Sequence, residues 1–551
     1  MDSMRDGKSS DADSKVEHAT PGYGHERSDQ AVHNVEEEDN PNVHQSMNPR
    51  LFVSLLAMSF LWIGSQIPLF LFGGVLPDIY SEIGGVDRWL WMVIGYLIPN
   101  AALCPFVGAL SDMFGRRVIA AIGQTLLIIG PIVTSTADTM NTAIGGQVIS
   151  GLGAGLNELI ALAGTAEMVP IRKRGAYIGG VVFTILPFCP SVLWAKLITE
   201  ASTWRYVGLL VGLWNFIGLI LCVVFYRDPA SMLPSRPKKE ILREVDYVGG
   251  LLSTFGITMF MLGLQWGASQ YAWGSAHVLA PFIIGIALII CFFVWEIRFA
   301  KFPMAPPALF SKHKRTMTAI LLITFFSGAN FFVLLLFWPT QVYNVYGNEP
   351  VQIGIRSLPI GFGIIIGAAA ALICIPILKG RTTYLMIFST VLMTAGTGAM
   401  SVARTDNLPT VYGVVTVASL GVGAVIIPCS IVAQLACPHH LIGTITAITL
   451  SIRYVGGAIG FTAYYNIFYH EFEQYATDIV APAIVLNGIA PETEVELITG
   501  MIGLAGTAQF DALRALIASV PTVPEQLQGE PAFDIVVGAT QEAFALAYRY
   551  P

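Results

Sequence analysis

Apolar windows of helical length recur along the chain at 51–77, 89–110, 117–137, 141–166, 176–199, 206–226, 247–267, 276–297, 317–339, 351–376, 382–402, 410–434 and 441–468. Each is long enough to cross a hydrocarbon layer, for which about 20 residues suffice. Backbone N–H and C=O groups at that depth must be satisfied within their own segment, and the alternation expected of lipid-facing barrel strands is missing. All thirteen windows are therefore predicted as helices. Beyond His470 the pattern changes: "APETEVEL" is polar, and the amphipathic "MIGLAGTAQFDALRALI" carries Asp511 and Arg514, which argue against another span. No apolar run follows in "QEAFALAYRYP", so 469–551 is expected as a polar tail on the side opposite the N-terminus.

Composition agrees with this pattern. The 551 residues are 54% hydrophobic and 12% charged, against about a quarter charged in soluble domains, and the mean hydropathy is +0.64. The fold class is an all-α polytopic membrane bundle. The net charge of -7 comes largely from the two ends and carries no signal for nucleic acid. Residues 1–49 are acidic, polar and without an apolar core for a signal peptide, so a disordered cytoplasmic tail is expected there. The seven cysteines sit in or at the edge of apolar runs and form no CxxC pair or disulfide framework.

Orientation follows from Lys and Arg in the links, because basic residues are retained on the cytoplasmic side. Taking alternate links from 111–116 onward, one set holds seventeen basic residues and the other only Arg88, Arg205 and Arg404. This predicts a cytoplasmic N-terminus. The longest basic link, 227–246, follows the sixth helix and divides the chain into a six-helix half (50–226), two helices (247–297) and a second half of five helices (298–468).

Within the first cytoplasmic link, "GALSDMFGRR" (108–117) places Asp112, Arg116 and Arg117 within six positions. Two arginines there have a plain topological use. The spacing allows more: Gly108 permits close backbone approach, Asp112 suits the positive end of a neighbouring helix, and Arg116 and Arg117 can pair across the face. Gly108, Leu110, Asp112, Gly115, Arg116 and Arg117 resemble the pattern G-x-L-a-D-x-x-G-R-[RK] of the major facilitator superfamily. "GQVISGLGAG" (146–155), "VPIRKRGAYIGG" (169–180), "PFCPSVLWAKLI" (187–198) with "TWRY" (203–206), "VDYVGG" (245–250) and "LSIRYVGGAIG" (450–460) narrow the resemblance to the fungal fourteen-span drug:proton antiporters, above all trichothecene efflux pumps and siderophore transporters. The resemblance implies two six-helix-type halves with windows 247–267 and 276–297 inserted between them, a fourteenth helix just past Tyr550 that is missing from this chain, and a cytoplasmic gate at Gly108, Asp112, Gly115, Arg116 and Arg117. It also implies proton-driven export of an amphipathic metabolite, toxin or drug by alternating access. The plasma membrane is the expected location, with a vacuolar or vesicle membrane as the alternative, and a monomer without cofactor or metal is expected. Siderophore-iron import by proton symport is the alternative. The chain departs from the pattern at Gln147, where an arginine is usual, and at Pro68, where many such pumps have an acid.

An ionisable group deep in a span costs roughly 2.5–3.5 kcal/mol on insertion scales, so it marks a function or a firm partner. Glu158 and Arg453 stand deepest; Lys196 and Arg356 lie near helix ends, where they can snorkel. Gln147, Gly151, Ala154 and Glu158 recur on one face of the fourth helix. That face reads either as a glycine-rich packing seam or as a cavity wall on which Glu158 loads and releases a proton. Arg453, in the stripe Thr446, Thr449, Arg453, Gly456 and Gly460, reads as an interhelical clamp or as a holder of substrate oxygen. Gln66, Asn157, Asn215, Gln265 and Asn330 can line a cavity or tie helices together. Trp62, Trp194, Trp214, Trp266 and Tyr454 fit packing better than a binding cage. No G-x-x-x-x-G-K-[ST] occurs, which leaves ATP without a site. No histidine or nucleophile constellation points to an enzyme, and no link is large enough for the output module of a non-transporting sensor.

Overall fold

The computed structural model describes residues 49–86, 88–169, 174–227, 246–267, 271–301, 303–304, 306–310, 314–347, 349–378, 382–437, 441–507, 509–521 and 523–549. The expected tail 1–49 and link 227–246 fall almost wholly outside them. Among the described residues thirteen helices are long and apolar enough to cross a membrane: span 1 (Pro49–Gly73), span 2 (Leu90–Gly108), span 3 (Arg116–Ser135), span 4 (Met140–Met168), span 5 (Gly175–Ala201), span 6 (Arg205–Val224), span 7 (Tyr247–Trp266), span 8 (Ala276–Arg298), span 9 (Lys314–Tyr346), span 10 (Pro350–Ile375), span 11 (Thr382–Val402), span 12 (Leu408–Gln434) and span 13 (Ile442–Leu486). The chain is a multi-pass membrane protein, and the all-α expectation holds.

Local chemistry sets the helix boundaries. Thr139 caps span 4 by accepting from the Thr142 amide at 3.4 Å, and Asp246 caps span 7 by accepting from the Gly249 amide at 2.9 Å; each satisfies a donor with no partner inside the helix. Asp246 also accepts from Trp295 Nε1 at 2.9 Å, which ties span 7 to span 8. Span 5, expected as one helix, is interrupted: Arg174–Phe183 and Ser191–Ala201 flank a 3₁₀ turn at Leu186–Phe188. Pro187 and Pro190 lack the N–H that would continue the ladder and clash with the preceding turn.

Spans 1–6 pack together as one half and spans 9–13 as the other, and the halves meet along spans 2 and 13 and along spans 5 and 10. Glycines set these seams. A methyl group on Gly354 would lie 2.6 Å from the Leu193 Cα, and one on Gly361 would lie 2.2 Å from the Cys189 carbonyl, so spans 5 and 10 abut. Spans 7 and 8 stand at the periphery: 11% of the apolar window of span 8 is buried in protein, against 89% for span 1. Lipid must solvate the remainder.

Past the expected end at residue 468, span 13 runs on as helix to Tyr475 and continues through a π-helical turn at Ala476–Val480. The stretch expected as a polar tail folds. Helices Val495–Gly506, Phe510–Ala518 and Glu530–Ala547 bury their own apolar cluster, including Met501, Leu513 and Val536. This cap docks on the bundle through Phe544, stacked at 4.2 Å on Phe472, and Tyr548, 4.3 Å from Phe468.

Candidate functional site

Glu158 lies in span 4, fully buried, and faces the other half of the protein. Tyr454 of span 13 donates its hydroxyl to one carboxylate oxygen. The other oxygen accepts no hydrogen bond among the described residues and lies 3.9 Å from the Arg453 guanidinium. Gln66 and Asn100 approach the same carboxylate from spans 1 and 2. Arg453 is held from its own half: it donates to Ser430 Oγ at 2.9 Å and to the Ile426 carbonyl at 3.4 Å, both on span 12. A carboxylate from one half thus meets a guanidinium and a phenol from the other at the centre of the protein.

The glycines on both stripes explain how these groups come so close. A methyl group on Gly151 would lie 2.4 Å from the Tyr96 carbonyl, so the Gln147–Glu158 face of span 4 packs on span 2. Gly456 fits against the Phe325 carbonyl and Gly460 against Ala329, which presses span 13 onto span 9. Small residues let backbones approach where lipid gives no hydrophobic drive. Ser451 adds a bond between halves, donating to the Ala101 carbonyl at 2.7 Å.

Beside the pair lies a cavity of about 90 Å³, walled by Trp62 and Gln66 of span 1, Phe188 and Ser191 of span 5, Phe332 of span 9, Ile364 of span 10, and Arg453 and Tyr454. The wall is aromatic and apolar with a few convergent polar groups, as in small-molecule sites. Its volume is far below the roughly 300–1,000 Å³ of such sites.

The structure therefore brings Gln66, Glu158 and Arg453 together and leaves the other candidates elsewhere. Gln147 is buried about three turns along span 4, its amide unpartnered among the described residues. Asn157 turns to span 3, where its amide, suitably oriented, donates to the Ala120 carbonyl (3.1 Å) and accepts from the Gln124 amide (3.0 Å). Asn330 donates to the Phe326 carbonyl of its own helix at 2.8 Å and lines a groove between spans 9, 11 and 13. Lys196 does not snorkel to water: its side chain is buried and ends 2.6 Å from Asp78. Tyr454, expected as packing, is the donor to Glu158. The signal for it was its place beside Arg453, in a span otherwise rich in glycine and threonine.

At the end of the bundle that carries the basic links, Gly115 joins spans 2 and 3 with φ of +88°, a conformation that costs any residue with a Cβ. Arg116 pairs with Glu167 at 2.6 Å and Arg117 donates to the Val223 carbonyl, so both arginines brace spans 3, 4 and 6 of one half. Glu167 was not singled out in the sequence because it sits at a helix end, where an acid is unremarkable. Among the described residues Gly108 meets no atom within 4 Å of where its Cβ would stand, so no close approach of the expected kind is made there by them. The Asp112 side chain lies outside the described residues.

Solved structures with the same architecture are transporters. The chain aligns with a POT family transporter at a TM-score of 0.54 and 15% identity, covering 74% of this chain and 89% of that one. It aligns with the human organic anion transporter MFSD10 at 0.53 and 15%, covering 77% and 95%. At such identity the likeness carries the fold alone. In sequence it is 27% identical over 516 residues to the MFS-type transporter sphD of Aspergillus fumigatus, covering 90% of this chain and 84% of that protein. It is 27% identical over 387 residues to the MFS-type efflux transporter ffsH of Aspergillus flavipes, covering 68% and 66%. With the MFS-type transporter pydD of an Acremonium species it shares 32% over 295 residues, and there the chain spans only 49% of its relative. A family model described as fungal trichothecene efflux pump matches residues 27–525, nearly the whole bundle and most of the cap, and the chain belongs to that family of major facilitator efflux transporters.

Proposed function

We propose that this protein exports an amphipathic small molecule in exchange for protons, with Glu158 as the proton carrier. One observation carries the reading: Glu158, the one carboxylate among the described residues that is buried at the junction of the halves, accepts from Tyr454 on one oxygen and lies beside Arg453 on the other without a hydrogen bond. When Glu158 is charged, Arg453 and Tyr454 hold the halves together. Protonation cancels the charge that Arg453 attracts and weakens that hold, because neutral hydrogen bonds are roughly half as strong as charge-assisted ones. The halves then part, the cavity opens and a solute takes the place of the contact. Proton and solute compete for one site, and each reorients the bundle after the other has left.

The driving force is the proton gradient, whose electrical part supplies ~2.3 kcal/mol per charge per 100 mV. That ffsH and the family are named as efflux transporters favours export over uptake. The aromatic and apolar wall favours a solute with an apolar body and few polar handles, as trichothecenes are. The basic links favour a cytoplasmic N-terminus, and the plasma membrane is where export removes a toxin from the cell. Asp112, beside the braced arginines, serves as a latch of the cytoplasmic end.

The test uses purified protein in proteoliposomes with an imposed pH gradient. Glu158→Gln is expected to abolish gradient-driven accumulation while solute exchange without a gradient persists. An unchanged pH dependence in that variant removes Glu158 from the coupling.

A further inference from the structure

A much larger cavity, about 670 Å³, lies at the end of the bundle opposite the basic links, between the short helix Leu76–Ile83 that follows span 1, the end of span 9 and the folded cap. Its walls come from both halves. Tyr80 is 6% exposed, and its hydroxyl makes no hydrogen bond among the described residues; the same holds for the hydroxyl of Tyr343 and the amides of Gln509 and Gln541, all of which front this space. Phe510, Phe533 and Phe544 also line it.

The charges are already matched. Arg514 lies 3.2 Å from Glu530, 3.6 Å from Asp511 and 4.2 Å over the Phe533 ring. What stays unengaged is neutral: two phenols and two carboxamides between aromatic surfaces. These groups open onto the cavity, where a ligand with matching oxygens can take up hydrogen bonds that no described protein group makes.

The cavity also continues the central one. On span 9, Leu335 borders the central cavity and Tyr343 the outer one, a separation of about 12 Å at 1.5 Å per residue. Between them lies a plug: the Lys196 ammonium, 2.6 Å from Asp78 and 5.4 Å from the Tyr343 ring centroid. Lys196 and Asp78 belong to one half and Tyr343 to the other, so parting the halves draws the plug from Tyr343.

We propose that this outer cavity is a second binding site, on the exit side of the plug, for a neutral polyoxygenated ring molecule, held by stacking on the cap phenylalanines and hydrogen bonds to Tyr80, Tyr343, Gln509 and Gln541. Its place in the route rests on the export reading given above. The site receives solute from the central cavity and delays its return.

The experiment follows hydrogen–deuterium exchange of the full chain in lipid nanodiscs, with and without a neutral trichothecene as probe. Peptides covering 505–514 and 533–544 are expected to slow at least twofold on adding the probe. They should slow equally in Arg453→Ala, in which the central site is broken, and the effect should disappear in Gln541→Trp, which fills the cavity. Probe protection confined to span peptides overturns the proposal, as does full cap protection in Gln541→Trp. Nanodiscs containing glucosylceramide provide a further arm: cap protection by that lipid with none from the soluble probe also overturns it. Failure of proton-driven flux alone, with cap protection intact, strikes the export reading and leaves the site standing.

Discussion

Three of the protein's pairs of opposite charge differ in what they join. Arg116–Glu167 and Lys196–Asp78, both at 2.6 Å, each lie within the N-terminal half, near opposite ends of the bundle. Arg453–Glu158, at 3.9 Å, joins the two halves at the centre. The tight pairs have carboxylates partly open to solvent, with Glu167 and Asp78 side chains 28% and 24% exposed, whereas the Glu158 side chain is 1% exposed. On the proposed mechanism a pair inside one half stays made while the halves rock, and short geometry is compatible with that. A pair between halves would break in every such cycle, and a long contact eased by a phenol and two amides lowers the cost of breaking it.

The largest effect is expected at the central pair. Arg453→Ala leaves Glu158 buried without its counter-charge, and breaking a buried pair in this way costs about 3–5 kcal/mol. A drop in the thermal midpoint of the purified protein and a loss of solute flux check this. The double variant Glu158→Gln, Arg453→Gln removes both charges together. It should recover most of the midpoint and none of the proton-driven flux. If the double variant pumps, the central pair is structural and the comparison between the two kinds of pair fails.

Lys196→Met tests the other kind. It removes the ammonium from a buried position and leaves Asp78 partly able to reach water, so a loss of about 1.5–3 kcal/mol is expected, the range for a hydrogen bond to a charged group. The pH dependence of flux should stay where it is, because this pair does not cross the halves. A shifted pH profile would show that the far-face pair also takes part in coupling.

Much of this was legible in the sequence, and the rest was not, for identifiable reasons. The thirteen spans were readable because hydrocarbon demands long apolar windows, and Glu158 and Arg453 because a charge inside such a window stands out against its neighbours. That these two meet was not readable: 295 residues separate them, and no local period encodes a contact between halves. The direction in which a polar side chain points was equally closed. In a helix apolar on all sides, no stripe distinguishes Asn157, which turns to the span 3 backbone, from Gln66, which turns to the cavity. The folded cap escaped for another reason. Its helices are short and amphipathic, and the apolar faces of Met501, Leu513 and Val536 find each other only in three dimensions. A search for windows of membrane length reads such a region as polar tail.

The smallest effect is expected where the inserted helices meet the bundle. Thr462 of span 13 donates its hydroxyl to Gln265 Oε1 of span 7 at 3.0 Å, with both residues buried. In lipid such a bond has no water to replace it, yet measured interhelical bonds of this type average only about 0.6 kcal/mol, since side chains find other partners when the helices part. Thr462→Val keeps the shape and removes the donor, so the thermal midpoint should move by a degree or two at most and flux should be unchanged. The same substitution logic at Tyr454, also on span 13 and also donating to a residue of another span, should move flux far more, because Glu158 carries a charge that Gln265 does not. If Thr462→Val impairs transport as much as Tyr454→Phe does, spans 7 and 8 move with the transport cycle, and the peripheral pair belongs to the working machinery.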